Sequence, residues 1–94
     1  MQANADEAAS LLKMIANPSR LLILCALVTR EHTAGELEGL VGLSQSAVSQ
    51  HLAKLRLKDL VATRRDGQTI YYSIKDQTTQ QLVETLHGIY CESL

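Results

Sequence analysis

Two short stretches of this 94-residue sequence carry side chains whose types and spacing suit chemistry at a surface. In the first, Val48, Leu52 and Leu55 recur at i, i+4 and i+7 and share one helix face. Gln45, Ser46, Ser49 and Gln50 then form the opposite face, with His51 and Lys54 at its edge. A solvated helix face ordinarily carries Glu and Lys at i, i+4 spacing. This one is polar but almost uncharged in its N-terminal half. Gln, Ser and His are short-reach donors and acceptors suited to base edges in a major groove, where Gln can pair bidentately with adenine. The amides at the helix start favour a phosphate. Taken alone, the face reads equally well as neutral surface. A capped helix before it and a basic hairpin after it favour DNA. In the second stretch, Arg64, Arg65 and Gln68 bracket Asp66-Gly67. A hairpin tip with two arginines can press on phosphates or enter a minor groove. The two arginines point to opposite strand faces, so at most one is expected to reach DNA directly. Lys54 and Arg56 are expected to hold backbone phosphates, with solvation as the alternative.

The thiols are a third candidate. Cys25 lies in an apolar run, where a cysteine reads first as a small hydrophobe. Cys91 follows His87 by four residues, on the same helical face. A protonated His87 would favour the reactive Cys91 thiolate, whereas a helix C-terminus disfavours an anion. A surface or partner-helix contact is the plainer reading of His87. The two cysteines form no Cys-x-x-Cys motif, and no Cys/His cluster has ligand spacing, so no metal and no cofactor are expected. A thiol enzyme using Cys91 and His87 would need a substrate cradle, and neither a Gly-rich loop nor an oxyanion motif is present. The chain is therefore not expected to be an enzyme.

These side chains need positioning elements, and one domain is all the length allows. Leu11, Leu12 and Ile15 predict an amphipathic first helix over about 6–16, which Asn17-Pro18-Ser19 breaks. A second helix over about 19–30 is apolar on nearly every side from Leu21 to Val28, hence buried and central. Thr33 with Glu36 is a capping box that starts a short helix over about 34–41, and His32, just before it, is expected to be exposed. Gly42 ends that helix; Ser44 caps the next, over about 45–57. The pair is a helix-turn-helix. The period then falls to 2 over about 60–74, with Asp66-Gly67 expected at both central turn positions with positive φ. Ile70, Tyr72 and Ile74 share one face of the return strand. A last helix is expected over about 76–91. The sum is a mainly α chain with a β-hairpin wing, a single winged helix-turn-helix domain over 1–94.

Composition narrows the partners. The formal net charge is −1, but five cations from Lys54 to Arg65 stand against Asp59 alone. With no Trp, no Phe and three Tyr, an aromatic platform for single strands is disfavoured. The longest apolar run is eight residues, Leu21 to Val28, so no membrane partner is expected. Asp6 and Glu7 stand where a signal peptide would be basic, and a cytoplasmic location is expected.

From about Ala8 to Cys91 the chain resembles the ArsR/SmtB family of dimeric winged-helix repressors. The resemblance lies in Leu11–Cys25, Gly35-Glu36-Leu37, Leu43–Arg56, Leu60–Tyr72 and Leu86–Cys91, with Ser49-Gln50-His51-Leu52 and the following wing the most specific part. Ile23-Leu24-Cys25 and Tyr90-Cys91 are similar to the BigR/SqrR/HlyU subgroup. There, the matching cysteines sense reactive sulfur species or oxidants by forming a disulfide or polysulfide bridge that releases DNA. The resemblance thus implies a homodimeric repressor of double-stranded operator DNA, with Cys25 and Cys91 as its sensing pair. It also implies a dimer seam from the first and last helices, here Leu11, Met14 and Ile15 with Leu82, Leu86 and Ile89. The metal-sensing branches fit badly. Thr33 and Gly35 occupy the arsenic sensors' Cys-x-Cys positions, and of the zinc pattern begun at Asp76, Thr78 and Ile89 replace the histidines. The alternative is a repressor of the same type with inert cysteines, governed by another ligand or by its concentration.

Overall fold

The computed structural model describes residues 2–90. Its elements run α1 (Gln2–Ile15), α2 (Pro18–Thr29), β1 (His32–Thr33), α3 (Ala34–Val41), α4 (Gln45–Leu57), β2 (Val61–Asp66), β3 (Thr69–Ile74) and α5 (Gln77–Tyr90). The expected winged helix-turn-helix is present, and α3 and α4 have the expected limits. Helix α1 starts four residues earlier than the apolar spacing indicated. Helix α2 starts at Pro18, because the Asn17 side chain caps it by accepting from the Arg20 amide at 3.0 Å. Asp76 caps α5 in the same way, accepting from the Thr79 amide at 3.0 Å and the Thr79 hydroxyl at 2.7 Å.

The core is aliphatic. Ile23, Leu24 and Leu27 of α2 meet Leu37, Val48, Leu52 and Leu55 of the helix-turn-helix, Leu60 and Val61 at the wing base, and Val83 of α5. Burying each such side chain contributes about 1.5–3 kcal/mol. Ile15 belongs to this core at 3% exposure, which removes it from the expected dimer seam. Leu11, Met14, Leu82 and Leu86 are half-buried, and Ile89 is exposed.

The sheet has three strands rather than the two of a plain hairpin, in the order β1-β3-β2. All pairs are antiparallel, and β1 sets His32 opposite Tyr72 and Thr33 opposite Tyr71. Directly opposed residues share a sheet face. Tyr72 packs on the core, so His32 is carried inward to 3% exposure, not left at the surface as expected from its place before the capping box. The wing turn also differs by one register step. Asp66 pairs with Thr69, so Gly67 and Gln68 are the central residues, and Gly67 alone takes positive φ, +65°. That is the pattern of a turn with Gly at its first central position.

Candidate nucleic-acid interface and thiol pocket

The helix-turn-helix is fixed at every joint by local chemistry. The Thr33 amide donates to Glu36 Oε1 at 2.9 Å, and the Glu36 amide donates to Thr33 Oγ1 at 3.1 Å. Two backbone donors at the α3 N-terminus are thereby satisfied reciprocally. Gly42 adopts φ 70° and donates its amide to the Glu38 carbonyl at 3.0 Å, which turns the chain. Ser44 Oγ then accepts from the Ala47 amide at 3.2 Å and starts α4.

Val48, Leu52 and Leu55 are at most 1% exposed, so they lock one face of α4 into the core. The other face is open as expected: Gln45, Ser46, Ser49, Gln50, Lys54 and Arg56 are all exposed. His51 is half-buried at its edge, and its Nδ1 has no hydrogen-bond partner. Desolvation, and then the charges of Arg20 and Lys54, push this imidazole below its ordinary pKa and favour the neutral ring. Arg20 is itself held by donating from Nε to the Met14 carbonyl at 2.6 Å, which ties the start of α2 to the end of α1 beside α4.

The wing arginines differ. Arg65 and Gln68 are exposed, and Arg65, Lys54 and Arg56 form no ion pair among the described residues. Arg64 is occupied. It donates from Nε to Glu31 Oε2 at 3.2 Å and from Nη2 to Glu31 Oε1 at 2.5 Å. Its guanidinium carbon also lies 4.5 Å from the centroid of the Tyr71 ring. The bidentate pair holds the Glu31 carboxyl below its usual pKa range and raises that of Arg64. Sequence reasoning missed Glu31. It lies 33 residues from Arg64, so no helical or strand spacing marks the pair.

Cys25 is 7% exposed. It borders a cavity of about 400 Å³ that is also lined by Leu22, His32, Leu40, Val41 and His87. The cavity thus joins α2 to α5. The other predicted sensing residue, Cys91, lies outside the described residues. No three His, Cys, Asp or Glu side chains converge as a metal site among the described residues. No single helix there is long and apolar enough to cross a membrane.

Residues 17–63, from the α2 cap into the third residue of β2, match the family model described as "Bacterial regulatory protein, arsR family". The chain is 49% identical over 92 residues to the HTH-type transcriptional regulator YgaV of Escherichia coli, covering 97% of this chain and 93% of that protein. Reduced HlyU from Vibrio cholerae superposes with a TM-score of 0.92 at 46% identity, covering 97% of this chain and 96% of the other. The repressor BigR from Xylella fastidiosa superposes with a TM-score of 0.91 at 40% identity, covering 99% of this chain and 92% of the other. The open polar face of α4, the wing and these matches agree: the chain belongs to the ArsR family of bacterial regulatory proteins and is a DNA-binding transcriptional regulator, not an enzyme.

Proposed function

We propose that the protein is a homodimeric transcriptional repressor that releases its operator when Cys25 and Cys91 are bridged by sulfur. Gln45, Ser46, Ser49 and Gln50 read base edges in the major groove, with His51 beside them. Lys54, Arg56 and Arg65 hold phosphates, and Gln68 lies at the wing tip. In a dimer the two α4 helices enter grooves about one helical turn apart. The exposed Ile89 and half-buried Leu11, Met14, Leu82 and Leu86 supply the apolar seam.

The observation that carries the sensing step is the cavity beside Cys25. It gives a buried thiol a space that His87 also borders, and Cys91 follows His87 by four residues in the sequence. The inducer is an organic persulfide. One protein thiolate takes the outer sulfur and releases the organic thiol. The second thiolate attacks the inner sulfur of that protein persulfide, and hydrosulfide leaves as the disulfide closes. When both cysteines are persulfidated, the same attack gives a trisulfide and hydrosulfide, and no further oxidant is needed. Bridging changes DNA affinity only if the bridged form holds the recognition helices differently.

Intact mass after treatment with glutathione persulfide tests this. The expected result is loss of both thiols within one chain, with or without one added sulfur, together with release of bound duplex. Cys25→Ser and Cys91→Ser should each abolish both. Normal release by either variant would sink the two-thiol mechanism. The cavity would then be read as the pocket of a different small ligand.

A further inference from the structure

Arg64 invites assignment as a DNA contact, because it is a cation on a wing. Its surroundings argue otherwise. Two donors of its guanidinium, Nε and Nη2, are engaged by the Glu31 carboxylate, and one flat face lies on Tyr71. Tyr71 is its direct cross-strand partner, so the stack spans β2 and β3. Tyr71 in turn opposes Thr33 of β1, the residue that caps α3. Glu31 sits between the α2 C-cap, Arg30, and His32 of β1. The Arg30 guanidinium lies 3.6 Å from Glu36 of the capping box. Arg64 is therefore the point at which the wing is tied to the corner that joins α2 to the helix-turn-helix.

We propose that Arg64 is a positioning residue: clamped by Glu31 and stacked on Tyr71, it sets the angle of the wing and does not itself contact DNA. An exposed pair of this kind adds little to global stability. It does bias the orientation of the wing where the two residues of β1 end their pairing with β3 and the ribbon continues with two strands only. A bidentate fork on a carboxylate is directional, which a single point-charge contact is not. The inference deepens the DNA-binding reading above and rests on the wing lying against the duplex.

The test uses the full-length protein and a duplex selected by it from a randomised pool, with binding followed by fluorescence anisotropy from about 50 to 200 mM salt. Glu31→Gln and Arg64→Gln change the net charge in opposite directions, so a plain charge effect would move affinity in opposite directions. The clamp predicts that both weaken binding, each by about three- to tenfold. It predicts that the double variant is no weaker than either single variant, because the two residues act as one unit. It predicts that Arg64→Lys, which keeps the charge and loses the fork, behaves like Arg64→Gln. The salt slope should be unchanged in all four. Tighter binding by Glu31→Gln, wild-type affinity in Arg64→Lys, or a slope smaller in Arg64→Gln by about 0.9, the value of one neutralised phosphate, would overturn the assignment. A readout without DNA separates this from failure of the DNA reading. In the unbound protein, the Arg64 Nε–H resonance should shift on Glu31→Gln, and an unmoved resonance would overturn the clamp by itself.

Discussion

The Leu60 amide donates to the Leu55 carbonyl at 2.9 Å, closing the C-terminal end of α4. Between them the Asp59 amide donates to the Arg56 carbonyl at 3.0 Å. Together these two bonds make a Schellman turn, with Leu60 and Leu55 both buried as its apolar contact. The residue in the left-handed position is Asp59, at φ 60°, not the usual glycine. This turn matters because it aims the wing: β2 begins two residues later.

Asp59→Gly is therefore expected to stabilise the protein by about 0.4–1 kcal/mol, since relief at positive φ exceeds the extra freedom Gly has when unfolded. The substitution also removes a 3.4 Å contact to Lys75, but both side chains are more than half exposed and such pairs contribute little. The measurement is the urea midpoint. A fall in the midpoint would mean that the Lys75 pair outweighs the backbone strain.

His51 makes stability depend on pH in a defined window. Burial, then Arg20 and Lys54, lower its pKa in the folded protein from the ordinary 6.5. As pH falls below that value, the unfolded chain takes up a proton that folded His51 resists. Stability then drops with pH until folded His51 also protonates. Glu31 and Glu36 act in a different range. Their carboxyls are lowered from 4.5, so the stability they contribute is present above that value and is lost only as pH falls below it. His51→Gln should thus lose less stability than wild type between about pH 7.5 and pH 5.5. Equal losses in urea midpoint for the two proteins would contradict this.

What the sequence made legible was local. The capping box of Thr33 and Glu36, the left-handed Gly42 and the stripe Val48-Leu52-Leu55 all lie within a few residues, and each appears as expected. The open α4 face followed from them, because fixing the buried stripe fixes its opposite. Strand β1 was not legible. Two residues have no period, and only pairing with β3, far along the chain, makes them a strand. The burial of His32 and the capture of Arg64 by Glu31 depend on that same long-range pairing. The wing turn was misplaced by one residue because Asp-Gly and Gly-Gln are both acceptable central pairs. The register is set elsewhere, by Val61 and Ile74 meeting at the buried end of the hairpin.

The proposed DNA contacts divide the α4 face into a base-reading part and a phosphate-holding part. Gln50 is exposed on that polar face, while Lys54, one turn further on, is an exposed cation with no ion pair among the described residues. Gln50→Ala is expected to cost about 1–3 kcal/mol on the selected duplex and to relax preference at one base pair per half-site, with the salt slope unchanged. Lys54→Gln is expected to weaken binding to selected and random duplexes alike and to lower the slope by about 0.9 for each phosphate no longer neutralised. The two variants thus differ in which observable moves, not merely in how much affinity falls. Competition binding with single-base variants of the selected duplex, repeated at several salt concentrations, measures both. If Gln50→Ala weakens all duplexes equally, its amide is a backbone contact. If Lys54→Gln leaves the slope intact, that lysine is only solvated surface, and the phosphate clamp must rest on Arg56 and Arg65.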